Sequence, residues 1–202
     1  MTAILADPVG PAATGATAIR RFSATNEVCD RFFSTHADSI AAACEAMAQR
    51  FQNGGRLLVR GGGAQRSDVA HVVVEFVHPV IVGKRALPAL GLAGADGIEA
   101  LGLLRVLGRA RDILMLLAAG APSDADRCLI ERARAEGLLT IVLSGDSGAG
   151  GGGGGASPTA PGDLLFAVPS HDPCIVQEAH EMLYHVLWEL VHIFFEHRSV
   201  GA

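Results

Sequence analysis

The 202-residue chain is long enough for one domain with a sizeable core and too short for two ordinary ones. Half of its residues are apolar and 18% are charged, which excludes an intrinsically disordered chain; only 5% are aromatic, so burial rests on Ala, Leu, Val and Ile. The 16 basic and 21 acidic residues leave a net charge of −5, which argues against a nucleic-acid-coating role.

Residues 1–18 hold Pro, Gly, Ala and Thr without a basic segment followed by an apolar one, and read as a flexible tail and not a signal peptide. A first helix is expected over Ile19–Phe33 and a second over Asp38–Phe51, the latter Ala-rich, with apolar residues at helical spacing and ended by Gly54-Gly55. Arg56–Arg60 reads as a short buried strand, followed at once by Gly61-Gly62-Gly63-Ala64-Gln65-Arg66-Ser67-Asp68 and a helix to about Val77. Strands are expected at Leu87–Leu92, Asp112–Ala118, Leu138–Leu143 and Leu164–Val168, with helices over Asp96–Gly108 and Ser123–Glu136 between them. Gly145–Gly162, with eight of the 25 glycines by residue 155, reads as a low-complexity loop. Asp172 then caps a long helix that has Pro173 at its first position and runs to about His197.

Strands alternating with helices imply right-handed crossovers and an α/β fold: a doubly wound, five-stranded parallel sheet flanked by helices, in one domain spanning residues 19–202. Ligands of such folds bind beyond the carboxyl ends of the strands. The four cysteines (Cys29, Cys44, Cys128, Cys174) form no CxxC pair and read as reduced thiols of a cytoplasmic protein. The apolar run Met182–Phe195 is too short and too polar to span a bilayer, so no membrane role is expected.

Three constellations could carry chemistry. In the turn Gly61–Asp68, three glycines between a strand and a helix let backbone amides approach an anion, although neither the dinucleotide nor the Walker spacing is met. The alternative is a tight turn that binds nothing. His71 and Glu75, four apart, share a helix face, where an imidazole and a carboxylate can meet one ion or simply form a surface pair. Five of the eight histidines fall between His171 and His197; singly each reads as a core or interface histidine, and together they make metal or acid/base chemistry credible.

The stretch Asn53–His71 continuing to Glu75-Phe76, the segment Arg85–Leu90, and Val176-Gln177-Glu178-Ala179-His180 followed by His185 and Glu189-Leu190-Val191 resemble the sugar isomerase (SIS) domain family, most closely phosphoheptose isomerases. The resemblance covers roughly residues 35–195. It implies interconversion of aldose and ketose phosphates through an enediol, with Glu75 as base and His185 as acid. It further implies a zinc site at His71, Glu75, Gln177 and His185 in metal-binding members. Substrate-binding positions would be Gly61, Gly62, Gly63, Gln65, Arg66, Ser67 and Ser123, and the ligand a sugar phosphate or other carbohydrate derivative. Gln177 and His185 are eight apart, about 12 Å along a straight helix, so one ion would be hard to reach from both within one chain. Members of the family are tetramers with sites between subunits, so a homo-oligomer, dimer or tetramer, is expected, with Trp188, Phe194 and Phe195 as interface residues.

The chain departs from the family where phosphate is held. Gly62 and Gln65 stand where the family carries Asn and Ser. The second phosphate loop, usually rich in Ser and Thr, is Ala118-Ala119-Gly120-Ala121-Pro122-Ser123. The span Gly91–Arg111 is short, and Ile175 replaces a basic residue two before Gln177. Two functions follow from different classes: an isomerase-like enzyme, or a non-catalytic SIS protein serving as a metal-binding accessory, assembly or regulatory factor.

Overall fold

The computed structural model describes residues 11–79, 81–92, 97–146 and 164–199. Five strands, β1 (Leu57–Gly61), β2 (Ala89–Gly91), β3 (Ile113–Leu117), β4 (Leu139–Gly145) and β5 (Leu164–Val168), form one sheet in the order β2-β1-β3-β4-β5. Every neighbouring pair is parallel. The helices are α1 (Pro11–Gln52), α2 (Arg66–Val77), α3 (Gly97–Leu107), α4 (Asp124–Ala135) and α5 (Pro173–Ser199), and a 3-10 turn, Gly63–Gln65, leads into α2. The expected doubly wound fold is the one observed.

The strand pleat separates two cores. Leu57, Val59, Ile113, Met115, Ile141 and Leu143 pack with α1, α2 and α5, whereas Leu58, Leu114, Leu116 and Val142 pack with α3 and α4. Both faces are thus covered, which is why these strands read as nearly unbroken apolar runs. Fully buried Asp112 ties the strand entries together, accepting hydrogen bonds from the Arg56 amide at 2.9 Å, Arg56 Nη2 at 2.6 Å and the Arg109 amide at 3.1 Å.

The amino-terminal region differs from expectation. The two helices expected at 19–33 and 38–51 are one helix, and residues 11–18, expected in the tail, extend it; residues 1–10 lie outside the described residues. Nothing between Phe33 and Asp38 breaks a helix, since Ser34-Thr35-His36-Ala37 contains neither Gly nor Pro. His36 instead carries the packed stripe across that gap, its ring 5.0 Å from Phe32 and 5.5 Å from Phe166. Gly145, expected in the glycine-rich loop, ends β4, where a Cβ would lie 2.1 Å from the Ala119 carbonyl oxygen; the loop from 147 to 162 lies outside the described residues. Trp188 and Phe195, expected at an interface, are buried in this chain's own core beneath α1 and the sheet.

Candidate functional site

The order β2-β1-β3-β4-β5 places its switch point between β1 and β3, where crossovers leave in opposite directions and open a crevice at the carboxyl ends of both strands. The turn after β1 lies there, as does the loop from Ala118 to Ser123. Gly61 is required by packing, because a Cβ would come within 2.9 Å of both Gln65 Cβ and Gln65 O. Gly63 has φ +58°, a left-handed conformation that side chains disfavour. The first amides of a helix have no partner within it, and an anion is the ligand such an opening suits.

The side chains expected to help are mostly engaged. Ser67 Oγ donates to Ala64 O at 2.9 Å. Ser123 caps α4: its Oγ accepts from the Asp126 amide at 3.2 Å and donates to Asp126 Oδ2 at 2.6 Å. The Gln65 side chain is buried, and its backbone N–H donates to Gly62 O at 3.1 Å. Arg66 is exposed and, with Val69, Val73 and Gly91, borders an apolar cavity of about 420 Å³.

A second set of polar groups lies between α2 and α5. Asp68, His71 and Glu75 recur along α2 at three- and four-residue spacing, and Gln177, Glu181, Tyr184 and His185 answer them from α5. At the first level Gln177 Nε2 donates to buried Asp68 Oδ1 at 2.9 Å; burial raises the Asp68 pKa, and the Gln177 hydrogen bond opposes that rise. At the next, His71 Nδ1 lies 2.9 Å from Tyr184 Oη and 3.6 Å from Glu181 Oε1, and its ring centroid is 5.0 Å from that of His185. On the other side His71 Nε2 stands 3.4 Å from Glu75 Oε1. Tyr184 is buried, which raises its pKa, and the His71 ring stands between its hydroxyl and the Glu75 carboxylate.

One ligand atom each of His71, Glu181 and His185 lies within 4.8 Å of the others. Two imidazoles and a carboxylate suit zinc and its neighbours in the first transition series. The structure thus brings His71, Glu75 and His185 together as expected and adds Glu181 and Tyr184, whereas Gln177 is bonded to Asp68 one turn away. Neither added residue had a sequence signal beyond its helical spacing from Gln177 and His185. A groove of about 750 Å³, walled by Arg21, Phe22 and Thr25 of α1 and by Glu178, Glu181 and His185 of α5, opens onto this cluster.

Two further histidines of α5 are structural. Buried His180 donates from Nε2 to Ser144 O at 3.3 Å. His192, seven residues beyond His185, is buried with Nδ1 2.8 Å from Trp188 O and Nε2 3.1 Å from Arg85 O.

The fold is that of a sugar isomerase domain. A solved phosphoheptose isomerase from Francisella tularensis superposes with a TM-score of 0.78 at 22% identity, covering 89% of this chain and 98% of that one. No family model matches the chain. The curated phosphoheptose isomerase of a Synechocystis species is 31% identical over 183 residues, spanning 84% of this chain and 91% of the relative. That of a Roseiflexus species is 30% identical over 185 residues, spanning 86% and 90%. The chain belongs to the phosphoheptose isomerase family.

Proposed function

We propose that this protein is a cytoplasmic sugar-phosphate isomerase that interconverts an aldose and a ketose phosphate of the sedoheptulose 7-phosphate class. The carrying observation is the convergence of Glu75 and His71 of α2 with His185 of α5, more than 100 residues further along the chain, on one solvent-connected cluster. Membership of the family supports the enzyme reading over that of a non-catalytic accessory.

In this reading Glu75 is the base. It removes the proton next to the carbonyl, and its carboxylate stands 3.4 Å from His71 Nε2. His185, on the groove wall, is the acid that protonates the carbonyl oxygen and gives the enediol; Glu75 then returns its proton to the neighbouring carbon while the other hydroxyl loses its proton and becomes the new carbonyl, which completes the isomerisation. Backbone amides of the Gly61–Gly63 turn face the phosphate, and Arg66 adds positive charge at its rim. The cluster fits a divalent metal such as zinc: His71, His185 and Glu181 would hold it, with Glu75 adjacent to His71. When bound, such an ion polarises the substrate's oxygens.

The test is turnover of sedoheptulose 7-phosphate with zinc present. Glu75→Gln is expected to lower kcat about 100-fold or more. Undiminished turnover in that variant refutes the role of Glu75, and no turnover by the wild type refutes the reading.

A further inference from the structure

Arg60 is the last full side chain of β1 before the glycine turn, paired with Leu116 of β3 directly at the switch point. Its side chain is only 5% exposed, yet Nε and Nη1 have no hydrogen-bond partner among the described residues. The nearest carboxylate oxygen, Asp126 Oδ1, is 3.9 Å from Nη2, which is beyond hydrogen-bond reach. The other oxygen of Asp126 is held by Ser123, and the carboxylate sits in the first turn of α4, where the helix's positive end offsets its charge. A permanently charged guanidinium with most of its donors unfilled is costly to bury and persists where a ligand completes it.

Gly62 lies directly over this group. A Cβ at that position would be 3.6 Å from both Nη1 and Nη2, so only the glycine backbone separates the guanidinium from the turn. The hydroxyls expected around a phosphate are at the same time absent or engaged: Ala118, Ala119 and Ala121 offer none, Pro122 lacks an amide hydrogen, and Ser67 and Ser123 bond to their own turns.

We propose that Arg60 is a phosphate-binding residue of this protein, taking the phosphate of the sugar phosphate beside Gly62, together with the amides of the turn and in place of the hydroxyl cradle. The inference rests on the sugar-phosphate reading above but concerns recognition and not the proton transfers. A guanidinium presents paired N–H groups to two phosphate oxygens, so one side chain can stand in for several hydroxyls.

The experiment titrates inorganic phosphate calorimetrically into the wild type, Arg60→Met and Arg60→Lys, and measures KM and kcat for sedoheptulose 7-phosphate on the same samples. Arg60→Met is expected to bind phosphate about tenfold or more weakly, with KM rising by more than kcat falls; Arg60→Lys, which keeps charge but not the fork, falls between the two. If Arg60→Met proves unfolded by circular dichroism, the weaker binding of Arg60→Lys carries the test. Phosphate binding lost in Arg60→Met by a protein without isomerase turnover upholds this site while removing the proposed reaction. Normal turnover with unchanged KM in Arg60→Met, or phosphate affinity equal to the wild type in either variant, overturns it.

Discussion

His180 sets a pH limit on stability. Its ring is fully buried under β4, and burial lowers its pKa from the ordinary 6.5 to about 4, opposed by the hydrogen bond to Ser144 O. Its Nδ1 has no partner, so a second proton there would be an unpaired buried charge. Between those two values the unfolded chain binds a proton that the folded chain refuses. The stability from neutral His180 is therefore complete above about pH 6.5 and is lost as pH falls towards 4. The loss is about 2 kcal/mol between pH 7 and pH 5, and about 3 kcal/mol by pH 4.

Urea unfolding at fixed protein concentration, from pH 7.5 down to pH 5, measures this directly. His180→Gln keeps a donor for Ser144 O and cannot titrate, so it should be less stable at pH 7.5 and show a flatter profile. Asp172, whose carboxyl is lowered to about 2 by Arg21, titrates below this window and is common to both proteins. Parallel profiles for wild type and variant would refute the reasoning.

Two further outcomes are expected. Ser123→Ala removes the cap of α4 and should cost about 1 kcal/mol in urea unfolding while leaving the KM for sugar phosphate unchanged, because the hydroxyl is committed to Asp126; a large rise in KM would make Ser123 a ligand after all. Light scattering at micromolar concentration should give a dimer or tetramer, shifted towards smaller species by Phe22→Glu, since exposed Ile19 and Phe22 of α1 and Met182 of α5 lie on or beside the groove that opens onto His185. A wild-type monomer refutes this.

Much of the protein was legible from local pattern. Leu57–Gly61 and Ile113–Leu117 are apolar runs because each strand is buried on both faces, and the Asp172-Pro173 start of α5 is a capping rule acting over three residues, with Asp172 Oδ1 accepting from the Cys174 amide at 2.9 Å. Gly61 and Gly63 were readable as glycines that the turn requires, and His71 with Glu75 as a pair on one helix face, since such features depend on neighbours in sequence. What tertiary structure alone decided is which polar groups meet. His180, His185 and His192 share one helix, yet only His185 reaches His71; His180 turns into the sheet, and His192, on the same side two turns on, meets the Arg85 carbonyl. Glu181 and Tyr184 became site residues because α5 lies against α2, and Arg60, which reads as the end of a strand, became an unfilled guanidinium because α4 and the glycine turn close over it without completing its hydrogen bonds. Periodicity reports which face a residue occupies, whereas the partner on that face, or its absence, is set by segments some 60 to 110 residues away.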